Sequence, residues 1–156
     1  MKARTAAVRV WLPALFTAAL ISIAVSPSGA SDDKNGKPSV SIKANPAIGF
    51  APMRVVMTAD LKGGADDYAD FYCATIEWDI VSLDGKGDGN KSEQRLECDP
   101  YEPGKSEIKR RYVREQIFKF PGEYTIRFNL KQKDRVVGGG RTSLRVRGGL
   151  GDGLDH

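Results

Sequence analysis

The chain has 156 residues and a formal net charge of +4, from 24 Lys and Arg against 20 Asp and Glu. Residues 1–30 hold three of the cations and none of the carboxylates, which leaves 21 cations against 20 carboxylates in the rest of the chain. This near-neutral balance lacks the sustained cationic surface that nucleic-acid binding requires, so we expect no nucleic-acid partner. The length suits one domain with a modest core.

Residues 1–30 have the features of a secretory signal peptide. Three basic residues precede an apolar run over residues 11–25, and small residues end the segment at Ala30. An uncleaved membrane anchor is the alternative, but a spanning helix needs about 20 apolar residues, and Pro13 interrupts this shorter run. We therefore predict cleavage after Ala30, a secreted or periplasmic (cell-envelope) location, and no stable membrane span in the mature chain.

The rest of the chain divides into a flexible leader over residues 31–37, a folded domain over 38–148 and a disordered tail over 149–156. The leader is polar and rich in turn-forming residues, and the tail is rich in glycine. Two runs with alternating apolar residues open the domain and predict strands. They are Val40, Ile42 and Ala44 in the first, and Val55, Met57, Ala59 and Leu61 in the second.

Residues 71–98 contain the strand around which we expect the core to form. Ile76, Trp78 and Ile80 share one face by their period of two, whereas Cys73 and Glu77 lie on the other. A glycine-rich turn over residues 83–91 follows, and the polar residues 92–98 suggest an edge strand.

The second half of the domain ends in two further strands. Residues 108–120 are basic and aromatic and fit one long bulged strand, two short strands or a helix. The clearest alternation follows, in Tyr124, Ile126, Phe128 and Leu130, and a glycine-bent last strand ends near Val146. About seven short strands predict an all-β antiparallel sandwich, with Trp78 and the Tyr124 series on facing inner layers.

The two cysteines, Cys73 and Cys98, are predicted to form a disulfide. They are the only cysteines in the chain, and thiols oxidise in an exported protein. Closing a loop of this length stabilises a fold by roughly 3–4 kcal/mol in the chain-entropy description. Because the alternation puts Cys73 on the outer face, we expect the bridge to hold a hairpin together rather than to join two sheets.

Several polar segments are candidate sites. A loop with Asp66, Asp67, Tyr68 and Asp70 could bind a cation or a basic partner, although its carboxylates could also be neutralised by cations of the chain itself. We expect those cations to be Lys131, Lys133 and Arg135, because loops between the second and third and between the last two strands share one end of a sandwich.

Two other segments have a structural interpretation that we favour. Asp84 to Asn90 resembles a calcium loop, but cations stand at Lys86 and Arg95, where oxygen ligands would be needed, so a simple turn is favoured. The basic residues 109–114 could bind a polyanion, but charges of this kind also protect an edge strand from aggregation.

Catalysis has little support in the sequence. The chain has one histidine, His156, and no glycine-rich phosphate loop between a strand and a helix. We therefore expect no enzyme, no catalytic or metal-binding residue and no cofactor. A hydrolase that uses a pair of carboxylates is a less favoured alternative.

Five segments, in order, resemble a PKD-type domain, the immunoglobulin-like sandwich named after polycystic kidney disease. They are Asn45-Pro46 with Gly49, Pro52 with Val55 and Met57, Glu77-Trp78-Asp79, Pro121 to Ile126, and Leu144 with Val146. The chain departs from that family in its long loop before Gly87 and in its cysteine pair. The resemblance implies an exported, noncatalytic interaction or structural module that binds protein or carbohydrate at the cell envelope. A calcium-dependent binding module that uses the acidic loops is the alternative.

Overall fold

The structure, a computed structural model, describes residues 36–149. The predicted signal peptide and most of the predicted leader and tail lie outside these residues. The described part contains eight strands and one short 3₁₀ helix, Ala69–Phe71. The strands are β1 (Ser39–Asn45), β2 (Ile48–Phe50), β3 (Met53–Lys62), β4 (Thr75–Ser82), β5 (Asn90–Gln94), β6 (Arg111–Phe118), β7 (Gly122–Gln132) and β8 (Arg135–Arg147).

These strands form two sheets, so the prediction of an all-β sandwich is confirmed. One sheet has three strands in the order β1-β3-β6, and the other has five in the order β2-β8-β7-β4-β5. All neighbours are antiparallel except β2 and β8, which are parallel. Two sheets packed through their inner faces, with chain crossovers between them, are typical of immunoglobulin-like sandwiches. Within residues 36–149, no helix is long and apolar enough to cross a membrane.

The core follows the alternation of the two central strands of the larger sheet. Ile76, Trp78 and Ile80 of β4 and the Tyr124 series of β7 are buried, and Trp78 packs edge-on against Phe128 with ring centroids 4.8 Å apart. Trp78 is 5% exposed, so its predicted place in the core is confirmed. Burying an aromatic or branched side chain of this size contributes about 1.5–3 kcal/mol before entropy is counted.

The prediction that Trp78 and the Tyr124 series lie in facing layers is wrong. Trp78 is the direct cross-strand partner of Phe128, because β4 and β7 are neighbours in one sheet. Residues of equal parity on paired strands point to the same face, so these side chains form one layer. The facing layer comes from the smaller sheet, where Tyr112 contacts Phe128 and Phe118 contacts Tyr124 at centroid distances of 5.1 and 4.8 Å.

Residues 108–120 contain a single regular strand, β6, which decides among the three structures that the sequence allowed. Tyr112 and Phe118 point inward, whereas Val113 and Ile117 are exposed on the outer face. Pairing with β3 fixes this parity over the whole strand. The apolar residues of both parities, which suggested a bulge, therefore lie on opposite faces of one strand.

Two features of the larger sheet were not predicted in this form. Residues 45–49, expected only to break the first strand, also begin the short edge strand β2. Next to the glycine run of β8, the pairing with β7 shifts register: Leu130 pairs with Gly138, but Lys131 pairs with Val136. At Gly138 an added Cβ would lie 2.7 Å from the Phe71 ring, so a side chain here would displace that buried ring.

Tyr124 joins β7 to the turn that precedes it. Its hydroxyl donates to the Phe120 carbonyl at 2.8 Å and accepts from the Asp88 N–H at 3.4 Å. A tyrosine that bonds backwards to the backbone at the start of this strand is the tyrosine corner of immunoglobulin-like folds. Gly87 lies against the ring, and an added Cβ there would be 2.3 Å from the hydroxyl oxygen. We call this end of the sandwich the corner end.

Candidate functional site

The opposite end of the sandwich is held by the predicted disulfide, which is confirmed. Cys73 and Cys98 are bonded with their Cα atoms 6.0 Å apart. Neither lies within a strand, because β4 begins at Thr75 and β5 ends at Gln94. The strand parity that we assigned to Cys73 is therefore wrong, but the bridge does close the hairpin of β4 and β5 just beyond its paired residues.

Residues 95–110, which connect β5 to β6, form an irregular segment that we call the strap. Side-chain hydrogen bonds attach it to the loop between β3 and β4. The Tyr72 hydroxyl donates to the Asp99 carbonyl at 3.0 Å, and the Tyr101 hydroxyl donates to the Asp67 carbonyl at 2.7 Å. The Ile108 N–H also donates to the Asp66 carbonyl at 2.8 Å. We call this end of the sandwich the strap end.

The four residues of the predicted acidic loop have different environments. The Asp66 carboxylate accepts from Arg110 Nε at 2.9 Å, and the Asp67 carboxylate accepts from the Gly104 N–H at 2.9 Å. Tyr68 packs against Phe71 with ring centroids 5.4 Å apart. Asp70 is half exposed and lies 3.6 Å from an Arg135 nitrogen. The expected neutralisation by the chain is thus found, but Arg135 is the only one of the three expected cations that takes part through a described ion pair.

Asp70 lines a cleft of about 580 Å³ at the strap end. The cleft brings together the β3–β4 loop, the strap and the β7–β8 turn. Its other lining residues are Ala69, Tyr72, Tyr101, Gln132, Lys133 and Arg135. It therefore presents two phenol rings, one carboxylate and two cations around a single depression.

The two tyrosines of the cleft are fixed in place. Their ring centroids are 5.5 Å apart, and both hydroxyls are used in the bonds to the backbone described above. Gln132 Nε2 donates to the Tyr72 carbonyl at 2.6 Å, which ties the β7–β8 turn to the same wall. Sequence analysis missed Tyr72 and Tyr101, although their positions beside Cys73 and shortly after Cys98 were a usable signal.

Backbone strain is concentrated around this cleft. Within residues 36–149, three residues other than glycine have positive φ: Cys73 at 52°, Lys133 at 47° and Asp134 at 66°. Lys133 and Asp134 form the two-residue turn of the β7–β8 hairpin, where Asn-Gly is the favoured sequence. Left-handed conformations of such residues cost of order 1–3 kcal/mol and often mark functional sites.

Lys131, which we expected to face the acidic loop, instead belongs to a network on the outer face of the larger sheet. Its Nζ donates to the Glu77 carboxylate, which also contacts Lys91 Nζ at 2.9 Å and accepts from Asn129 Nδ2 at 2.9 Å. Glu77 is only 4% exposed. The bond from Lys131 is the largest cause that lowers the pKa of Glu77 to about 2, against the opposing effect of burial.

The Asp84 to Asn90 segment has the turn structure that the sequence favoured. Asp84 Oδ1 accepts from the Ser82 hydroxyl and from the Lys86 N–H at 3.2 Å, and the Ser82 bond is the main cause that lowers the Asp84 pKa. Asp88 accepts from the N–H groups of Lys119 and Phe120. Within the described part of the chain, no group of three or more His, Cys, Asp or Glu side chains is placed to hold a metal ion.

The basic residues 109–114 have specific structural partners, as the edge-strand interpretation leads us to expect. Arg111 pairs with Asp60 at 2.6 Å, and Lys109 Nζ lies 5.3 Å from the Tyr112 ring centroid. Arg114 points inward and donates to the Ser92 hydroxyl, and desolvation lowers its pKa. Inward charges of this kind discourage edge-to-edge pairing.

Comparisons with known proteins find no matching family model and no matching curated protein. Solved structures of superoxide reductase (neelaredoxin) from Ignicoccus hospitalis are similar to this chain. One has a TM-score of 0.48 and 16% identity and covers 76% of this chain and 88% of its own. A second has a TM-score of 0.46 and 14% identity and covers 70% and 80%. With such values, the similarity assigns no activity and no residue role to this chain.

These comparisons correct two predictions. The PKD assignment is wrong, because no family model supports it and the similar solved structures are superoxide reductases. The five segments on which it depended are turns and alternating strands that other β-sandwiches also contain. The prediction of a noncatalytic module and not an enzyme is withdrawn, because the similar solved structures are named as enzymes.

Proposed function

We propose that the cleft at the strap end binds an extended segment of a partner protein. The observation that carries this proposal is the clustering of strained backbone around a preformed, charged, tyrosine-lined depression. Strain at Lys133 lowers stability, and nothing in the hairpin itself requires a lysine there. A lysine at this position is explained if its ammonium group contacts a ligand.

The chemistry of the cleft suits a peptide. Tyrosine and arginine are enriched among residues that dominate protein interfaces, because they offer large contact areas with polar tips. Asp70 and Arg135 present both signs of charge within one cleft, so a segment with an acidic and a basic side chain would find complementary partners. The fixed tyrosine rings would lose little further conformational entropy on binding.

We also propose that this binding takes place outside the cytoplasm. The signal-like features of residues 1–30 support export, and the disulfide at the strap end requires an oxidising compartment to persist. Fractionation of producing cells would test this. Recovery of the chain in the cytoplasm, with an intact residue 1–30 segment and reduced thiols, would contradict it.

The binding test uses peptides selected from a displayed random library on the folded, oxidised protein. We expect selected peptides to lose about tenfold in affinity for Lys133→Gly and Arg135→Ala variants. Lys133→Gly should also be as stable as the original protein or more stable, because glycine adopts positive φ without strain. A lower affinity in a more stable protein cannot be explained by misfolding.

Asp134→Gly is the matched control. It relieves the same kind of strain in the same turn but keeps the Lys133 ammonium, so binding should persist. Lys86→Ala removes an exposed lysine from the corner end and should also have no effect. Equal affinities for all four variants would overturn the proposal, as would selected peptides that bind only at the corner end. A library that yields no binder, together with a polysaccharide that binds in the cleft, would also overturn it.

A further inference from the structure

A row of arginines lies on the outer face of the larger sheet, away from the cleft. Arg141, Arg145 and Arg147 share one face of β8, and Arg127 of β7 is the direct cross-strand partner of Arg141. All four are exposed. We call these four residues the arginine strip. Side chains two residues apart on a strand are separated by about 6.6–6.8 Å. Arg145 and Arg147 therefore lie one such step apart, and Arg141 lies two steps from Arg145, with Ser143 between them.

The pairing of Arg127 with Arg141 is unfavourable for the fold. Like charges directly opposite each other in a sheet destabilise it. Arg127 has a partial counterion in Asp79 at 3.6 Å, and Arg145 has one in Glu123 at 3.5 Å. Within residues 36–149, Arg141 has no carboxylate within 4.0 Å. The sheet therefore places the Arg141 cation opposite a like charge and without a neighbouring carboxylate. Unfavourable arrangements of this kind are expected at functional positions.

Hydroxyl groups lie beside this arginine. Thr125 and Ser143 are cross-strand partners next to the Arg127–Arg141 pair. With Arg141, they line a shallow depression of about 250 Å³. A guanidinium group offers planar, paired N–H donors to an oxyanion, and a hydroxyl adds a further donor. The depression therefore has the donor set for a sulfate, phosphate or carboxylate group.

Apolar side chains border the other end of the strip. Ile48 and Phe50 of β2 are the cross-strand partners of Arg145 and Arg147. They are 59% and 54% exposed, so each leaves an apolar surface beside a cation. Such a surface can pack against the apolar face of a sugar ring, whereas a small inorganic anion would gain nothing from it.

We propose that the arginine strip binds an anionic polysaccharide that lies along β8. Its acidic groups pair with the arginines, its hydroxyls bond to Thr125 and Ser143, and a ring packs against Phe50. The positive charge of the strip favours an anionic ligand, and the placement of three arginines along one strand suits a linear chain that carries several acidic groups. This site is separate from the peptide cleft, which has its own elements and its own test.

The test measures binding of dextran sulfate to the oxidised full chain by calorimetry at low salt, with neutral dextran as the reference ligand. We expect binding of dextran sulfate only, weakening as salt screens the charges. Arg141→Glu should reduce the affinity at least tenfold. Because it places an opposite charge across from Arg127, it should also leave the melting temperature unchanged or raise it by about 1–4 °C.

Arg54→Glu is the matched control, since it makes the same charge change on the outer face of the smaller sheet. It should keep most of the affinity, and Phe50→Ala should weaken binding severalfold with an unchanged dependence on salt. Equal losses for Arg141→Glu and Arg54→Glu would show nonspecific attraction and overturn the proposal. Phosphatidylglycerol vesicles that bind through Arg141 as tightly as dextran sulfate would overturn the choice of a polysaccharide.

Discussion

The two ends of this sandwich are closed by different kinds of contact. At the corner end, a tyrosine hydroxyl and the Asp88 carboxylate bond to nearby backbone groups. At the strap end, a covalent disulfide and ion pairs between side chains, such as Asp66 with Arg110, join the segments. The cleft to which we assign binding and the non-glycine residues with positive φ both lie at the strap end.

The largest expected effect comes from removing the disulfide. A variant with Cys73→Ser and Cys98→Ser should lose about 3–4 kcal/mol of unfolding free energy, the chain-entropy value for a 25-residue separation. Urea denaturation would measure this loss. Amide signals of the strap should shift or broaden in nuclear magnetic resonance spectra, whereas those near Tyr124 should stay in place. Equal disturbance of both ends would contradict the division between them.

Two conservative tyrosine variants test the corner end against the core. Tyr124→Phe removes the donor to the Phe120 carbonyl and should cost about 1–3 kcal/mol. Tyr112→Phe should be neutral or stabilise by up to about 1 kcal/mol, because among the described residues the buried Tyr112 hydroxyl has no hydrogen-bond partner, and its burial raises the pKa of Tyr112 to about 12. Denaturation of both variants checks the contrast, which a similar loss in each would refute.

Lowering the pH should reduce the unfolding free energy by less than the disulfide and Tyr124 variants do, through the Glu77 network on the larger sheet. The folded pKa of Glu77 is about 2, below its ordinary value of 4.5. Its contribution is therefore complete above about pH 4.5 and is lost as the pH falls toward 2. We expect the unfolding free energy to fall by about 1–2 kcal/mol over this range. This is less than the full pKa shift implies, because solvent screens the interaction with the exposed Lys91. Glu77→Gln should flatten the pH dependence of stability in this range, and an unchanged slope would be evidence against the network.

Much of the fold could be predicted because its strands alternate strictly. The β7 residues from Tyr124 to Leu130 and the β4 residues from Ile76 to Ile80 define a buried face by parity alone. The disulfide was also predictable, since an exported chain with two cysteines leaves one intramolecular pairing. The resemblance to a PKD domain misled us, because prolines, glycines and alternating strands are shared by many sandwiches.

The candidate site was only partly predictable. The acidic loop was identified, but one of its four residues, Asp70, reaches the cleft. Asp66 and Asp67 are occupied by Arg110 and by the Gly104 N–H, partners 44 and 37 residues away. No local pattern encodes such distant pairings. Tyr101 and Lys133 could be found as site residues only after the strap and the β7–β8 turn were placed beside the same loop.

The sequence by itself determined the strictly alternating strands, such as β4 and β7, their inward faces and the cysteine pair, because period-two alternation and oxidation chemistry act locally or leave a single choice. Tertiary structure decided which strands share a sheet, where the strap crosses the acidic loop and which arginines of β7 and β8 lie opposite each other. Those outcomes depend on strand register and on contacts between distant segments. The same contacts form the cleft and, separately, the arginine strip, the two surfaces to which we assign binding.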